Sequence, residues 1–156
     1  MGRAASRPSR LKILVIHGPN LNLLGARDTS VYGKSTLAQI NSTLRAEAKK
    51  QNADITIFQS NAEGVILDRL HAAIGKCDAL ILNPAGLTHT SVSLRDAVEA
   101  SGIPTVEIHL SNIHKRETFR HTSFVAPVCI GQIAGFGADS YLLGLWALLR
   151  LLRAGR

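Results

Sequence analysis

The sequence predicts a single α/β domain built on a parallel sheet, and three observations carry that prediction. Short β-rich runs alternate with helical patterns along the chain, with no internal repeat. Several of those runs are continuously apolar, as strands covered on both faces must be. The chain has 156 residues, 46% of them apolar. A domain of that length buries roughly 70% of its unfolded surface and needs no disulfide or metal staple.

Strands are expected at Leu11–His17 (LKILVIH), Asp54–Gln59 (DITIFQ), Ala79–Asn83 (ALILN), Thr105–His109 (TVEIH) and Val128–Gly131. Between them, Leu37, Ile40 and Leu44 mark one helical stripe, and Ile66, Leu70, Ala73 and Ile74 a second. Val92, Leu94, Ala97 and Val98 mark a third, and Leu142, Leu145, Trp146 and Leu149 a fourth. Ser35 and Ser91 are placed as N-caps, and Gly102 before Pro104 as a helix stop. Strand–helix alternation of this kind gives a flavodoxin-like fold, about five parallel strands with helices on both faces. The functional site of such a sheet lies beyond the carboxyl ends of its strands, so polar residues there become the candidates.

The net charge of +7 is confined to the ends of the chain. Residues 1–12 hold Arg3, Arg7, Arg10 and Lys12, residues 150–156 hold Arg150, Arg153 and Arg156, and neither stretch holds an acid. Between them 11 Lys/Arg balance 11 Asp/Glu, so the body is neutral. The expected organisation is a disordered basic leader over 1–10, a catalytic domain over 11–152 and a basic tail over 153–156. A nucleic-acid binder carries its cations on a folded face with stacking aromatics. Here the seven aromatics are scattered, and that class is set aside. Cys77 and Cys129 form no CxxC pair and are expected as reduced core residues of a cytoplasmic protein. Leu11–Ile16 is too short for a signal peptide, and Tyr141–Leu149 is half a membrane span. The match of the first six residues to a myristoylation pattern is weak.

Sixteen residues, Gly18–Gly33 (GPNLNLLGARDTSVYG), follow the first strand. Loops that long in compact domains are usually functional; this one holds Asn20, Asn22, Arg27, Asp28 and Tyr32. The third strand ends in Asn83 and runs through His89 to Ser91 at a helix N-terminus, where anions are favoured. In the fourth, Glu107 and His109 project to the same side by strand alternation, so the carboxylate can orient the imidazole. Leu110, Ser111 and Arg120 follow. There is no metal cage, no GxSxG elbow and no lysine at a strand end. General acid–base chemistry on a small, hydroxylated, anionic molecule remains.

Taken singly, each of these residues has an ordinary structural role. Tyr32 would be a turn aromatic, His109 a hydrogen-bonded structural histidine, Glu107 a salt-bridge partner, and Arg27, Arg120 and Asp96 solvated charges. Asn20 and Asn83 beside prolines would be turn residues. Two other functions stay open on the residues alone. GQIAGFGADS at 131–140 invites a nucleotide-binding or signalling module, but it lacks the third glycine and a following acidic strand end. A non-enzymatic assembly protein is the other.

Three stretches in this order and spacing resemble the type II 3-dehydroquinate dehydratases of the shikimate and quinate pathways: GPNLNLLGARDTSVYG at 18–33, NPAGLTHTSVSLRDA at 83–97, and EIHLSNIHKRETFRHTSF with GQIAGFG over 107–137. The likeness spans about residues 11 to 150. It implies dehydration of 3-dehydroquinate to 3-dehydroshikimate through an enolate, without a cofactor, metal or imine, in a homododecamer built as a tetramer of trimers. It implies Tyr32 as the base. An ordinary phenol titrates near 10, so such a base needs roughly 4 kcal/mol of help to be mostly ionised at neutral pH, with Arg27 the implied cation. It implies Asn20 positioning a water against the enolate oxygen, a type of contact worth about 3 kcal/mol. His109 would be the general acid, oriented by Glu107. Asn83, His89, Leu110 and Ser111 (partly through backbone amides) and Arg120 would bind substrate, Arg120 through its carboxylate, and Asp96 would reach a neighbouring subunit's site.

The chain departs from that pattern locally. Arg27-Asp28-Thr29 stands where the family usually has Arg-Glu-Pro, and loss of the proline is expected to loosen the loop carrying Arg27 and Tyr32. His121-Thr122-Ser123 departs slightly from the usual His-Ser pair.

Overall fold

A computed structural model describes residues 10–26 and 28–155. The expected leader up to residue 9, Arg27 and Arg156 lie outside the described residues. Five parallel strands form the sheet: β1 Leu11–His17, β2 Ala53–Gln59, β3 Ala79–Asn83, β4 Thr105–His109 and β5 Gly131–Ala134. Their spatial order is β2-β1-β3-β4-β5, the doubly wound order of flavodoxin-like sheets. The helices are α1 Thr29–Tyr32, α2 Leu37–Lys50, α3 Glu63–Ala73, α4 Val92–Ser101 and α5 Asp139–Ala154.

Two apolar layers sandwich the sheet. Ile13, Val15, Ile81, Val106 and Ile108 pack with Ile40 and Leu44 of α2 and Tyr141, Leu145 and Leu148 of α5. The alternate positions Leu14, Ile16, Leu80 and Leu82 pack with Ile66 and Leu70 of α3 and Leu94 and Val98 of α4. That division follows from the period of two along each strand. Among the described residues no helix is long and apolar enough to cross a membrane. Cys77 and Cys129 are unpaired and half-buried rather than fully in the core.

Several local expectations need correction. The fifth strand begins at Gly131 rather than Val128. Ala126–Val128 winds into a 3-10 turn around Pro127 because Ser123 Oγ accepts from the N–H groups of Val125 (3.1 Å) and Ala126 (2.9 Å). Thr36, not Ser35, caps α2, in a reciprocal capping box with Gln39. Ser91 and Gly102 bound α4 as expected, Gly102 in the left-handed conformation. On α5 the buried face runs through Tyr141, Gly144, Leu145, Leu148 and Leu149, while Trp146 is exposed and donates to Glu47 Oε1 at 2.9 Å. Ile74 and Val92 are likewise exposed. The tail expected from 153 starts later, because α5 continues through Ala154 with Arg153 donating to the Gln51 carbonyl. Arg10, assigned to the leader, pairs with Asp54 at 3.2 Å.

The end of the sheet that matters is held together by backbone. Gly18 donates its N–H to the Asn83 carbonyl at 2.8 Å, tying the loop after β1 to the end of β3. A Cβ at Gly18 would meet the Pro84 carbonyl oxygen at 2.5 Å, so only glycine permits this approach.

Candidate active site

An open cleft of about 120 Å³ lies beyond the carboxyl ends of the strands. The loop after β1 contributes Asn20 and Tyr32, the end of β3 contributes Asn83 and His89, and the β4 loop contributes His109, Leu110, Ser111, Arg116 and Arg120. Tyr32 and His109 therefore border the same cavity. Two guanidinium groups and no carboxylate line it among the described residues, so its charge suits an anion. No lysine among the described residues lines it either.

The long loop after β1 is more ordered than an unbroken coil. Leu21–Leu23 forms a 3-10 turn entered by Asn20 in the left-handed conformation (φ 68°). The Asn20 N–H donates to Asn61 Oδ1 at 2.9 Å, which leaves its side chain at the cleft. Asp28 caps α1 by accepting from the Ser30 N–H at 3.1 Å and the Ser30 hydroxyl at 2.5 Å. Those two bonds hold the Asp28 carboxyl below the ordinary range. Tyr32 closes this helix, half-buried, with the Arg116 guanidinium 5.0 Å from its ring centre.

Glu107 is fully buried in β4, and everything around it donates. His109 Nε2 donates to Oε2 at 2.9 Å, Ser123 Oγ donates to Oε1 at 2.7 Å, and Gln132 Nε2 donates to Oε2. Gln132 is the direct cross-strand partner of Glu107 in the β4–β5 register. Burial pushes the Glu107 carboxyl up, but hydrogen bonds and charge from His109, with Ser123 and Gln132, outweigh it and hold the group below its ordinary value. The buried residue is thus a carboxylate. His109 must donate through Nε2, and its Nδ1 has no partner among the described residues.

His89 donates through Nδ1 to the Thr122 carbonyl at 2.7 Å, which leaves Nε2 for the cleft. Asn83, nearly buried, accepts the Ala85 N–H on Oδ1 at 3.2 Å. Arg120 donates through Nε to Glu117 at 2.8 Å and stacks on Phe119. Leu110 and Ser111 line the cleft wall. Asp96 is exposed on α4 and is not brought to this chain's own cleft. Arg27 lies outside the described residues.

Two residues went unassigned on the sequence alone. Arg116 puts a cation over Tyr32, and its only signal was a basic pair after a strand-end loop. Gln132 owes its place to strand register.

The dehydroquinase class II family profile matches residues 11–149. A Gloeobacter violaceus protein named 3-dehydroquinate dehydratase is 56% identical over 143 residues, covering 92% of this chain and 89% of that protein. A Nostoc protein of the same name is 57% identical over 143 residues, covering 92% and 97%. A crystal structure of type II dehydroquinase from Butyrivibrio crossotus superposes with a TM-score of 0.87 at 40% identity, covering 89% of this chain and 97% of that one. With the family profile spanning nearly the whole domain, the chain belongs to the class II dehydroquinase family.

Proposed function

We propose that the chain is a hydro-lyase that converts 3-dehydroquinate to 3-dehydroshikimate by general acid–base elimination. The observation that carries this is the meeting of Tyr32 and His109 in one cationic cleft, with the buried Glu107 carboxylate behind the imidazole. Tyr32 takes the proton alpha to the substrate ketone, and the electron pair moves onto the carbonyl oxygen as an enolate. The enolate then reforms the ketone as the carbon–oxygen bond of the β-hydroxyl breaks. The hydroxyl leaves as water with a proton from His109, and the alkene remains in conjugation with the ketone. Arg27 and Arg116, the latter over the phenol ring, offset negative charge on Tyr32, and Asn20 holds a water against the enolate oxygen. Arg120 takes the substrate carboxylate, with Asn83, His89, Leu110 and Ser111 holding the ring hydroxyls.

A route through a lysine imine would need an amine, and among the described residues none lines the cleft. The reading needs no metal, and no group of three metal-ligating side chains occurs among the described residues. On this reading Asp96, exposed on α4, serves a neighbouring copy's site in a homododecamer. Enone formation followed by ultraviolet absorbance, with borohydride present, tests the chemistry. Steady turnover is expected, and inactivation by borohydride plus substrate would refute the imine-free route. Light scattering tests the assembly, with twelve copies expected and a monomer contradicting it.

A further inference from the structure

Behind Asn83 lies a chain of polar groups that the acid–base chemistry does not use. The Tyr141 hydroxyl, on α5, is 3.0 Å from Asn83 Nδ2 and 2.7 Å from His17 Nδ1 at the end of β1. His17 Nε2 is 2.8 Å from Asn41 Oδ1 on α2. Tyr141 and His17 are wholly buried. Simple donor and acceptor counting fixes the direction of every bond. The Ala85 N–H claims Asn83 Oδ1, so Asn83 turns its nitrogen to Tyr141 and donates. The Tyr141 hydrogen then goes to His17 Nδ1, and His17 carries its own hydrogen on Nε2, where Asn41 accepts it. The opposite polarity would aim two donors at the Tyr141 oxygen and leave its hydrogen without an acceptor among the described residues. Burial keeps His17 neutral, as the relay requires, lowering its pKa to about 4 against the opposing Asn41 bond.

We propose that His17 and Tyr141 are positioning residues, a one-directional relay from Asn41 that locks the Asn83 amide so that its second N–H is offered to the substrate as a donor. The proposal rests on the reading of Asn83 as a substrate-binding residue. It predicts that Asn83 meets an acceptor on the ligand, a hydroxyl or carboxylate oxygen.

The test is a double-mutant cycle on the full chain, with Tyr141→Phe and Asn83→Ala alone and combined, reading KM and kcat on 3-dehydroquinate. Tyr141→Phe is expected to raise KM about tenfold and to change kcat less than threefold. In the Asn83→Ala background it should add less than twofold to KM. An equal rise in both backgrounds, or an unchanged KM in the single variant, overturns the relay. The nitrogen chemical shifts of histidine-labelled protein give a readout that needs no turnover. His17 is expected as the Nε2–H tautomer, with its Nδ1 resonance displaced in Tyr141→Phe. An Nδ1–H tautomer overturns the proposal whatever the substrate proves to be, whereas absent turnover with the expected tautomer overturns only the functional reading.

Discussion

Replacing Glu107 by glutamine isolates the charge behind His109. The substitution keeps the shape but converts one acceptor oxygen into a donor, in a pocket where every neighbour donates. If the new NH₂ faces Ser123, it meets a hydroxyl oxygen that already accepts from Val125 and Ala126. If it faces the other way, it opposes the N–H groups of His109 and Gln132. Either orientation leaves a buried donor unpaired, at a cost of about 1–3 kcal/mol. For a domain of this size each kcal/mol lowers Tm by about 2–4 °C. A hydrogen bond to a charged partner is worth about 1.5–3 kcal/mol, so loss of the carboxylate should lower kcat at neutral pH roughly 10- to 150-fold. Steady-state rates at neutral pH, paired with thermal unfolding, measure both effects. A variant within twofold of the parent rate would falsify the assignment of Glu107 as the orienting carboxylate.

Three further outcomes follow from the same geometry. His17 is buried neutral with its pKa lowered from 6.5 to about 4, so the unfolded chain binds a proton that the folded chain refuses between those values. Stability should therefore fall by about 3 kcal/mol as pH drops from 6.5 to 4, measured by denaturant titration, and a flat profile there would contradict the burial argument. Gly144 faces Ile108 Cδ1 and Val106 Cγ1, which an added Cβ would approach to 2.7 and 3.2 Å; overpacking of about 1–3 kcal/mol should outweigh the roughly 1 kcal/mol that alanine gains over glycine in a helix, so Gly144→Ala is expected to destabilise in the same titration, and a neutral or stabilising result would show that the Ile108 side chain swings aside. Thr29 opens α1 at the position where proline is pre-organised; Thr29→Pro is expected to stabilise by about 0.4–1 kcal/mol and to lower KM, and unchanged values for both would show that the Asp28 cap already orders the loop.

The parts of the fold visible in the sequence were those set by local period. Strands β1, β3 and β4 fall on their expected residues because continuous apolar runs bounded by polar strand ends leave little choice. The face of α5 was less legible, since leucines surround that helix and only packing decides that Tyr141 turns inward and Trp146 outward. The fifth strand starts three residues later than its sequence suggests because the Ser123 hydroxyl, not any propensity, bends the preceding segment. That shift also hid Gln132, whose position opposite Glu107 exists only in the true register. Alternation predicted that Glu107 and His109 share a side, and they are bonded at 2.9 Å. The contact of Arg116 with Tyr32 joins two loops distant in sequence, which no periodic signal reports.

The most direct measurement is kcat on 3-dehydroquinate for the parent chain, Tyr32→Phe and His109→Ala, side by side. Removal of the phenolic oxygen or the imidazole should each slow enone formation about 10²- to 10⁴-fold while the protein stays folded. A Tyr32→Phe enzyme that works at the parent rate would mean that some other group takes the proton and that the shared cleft is not where the reaction happens.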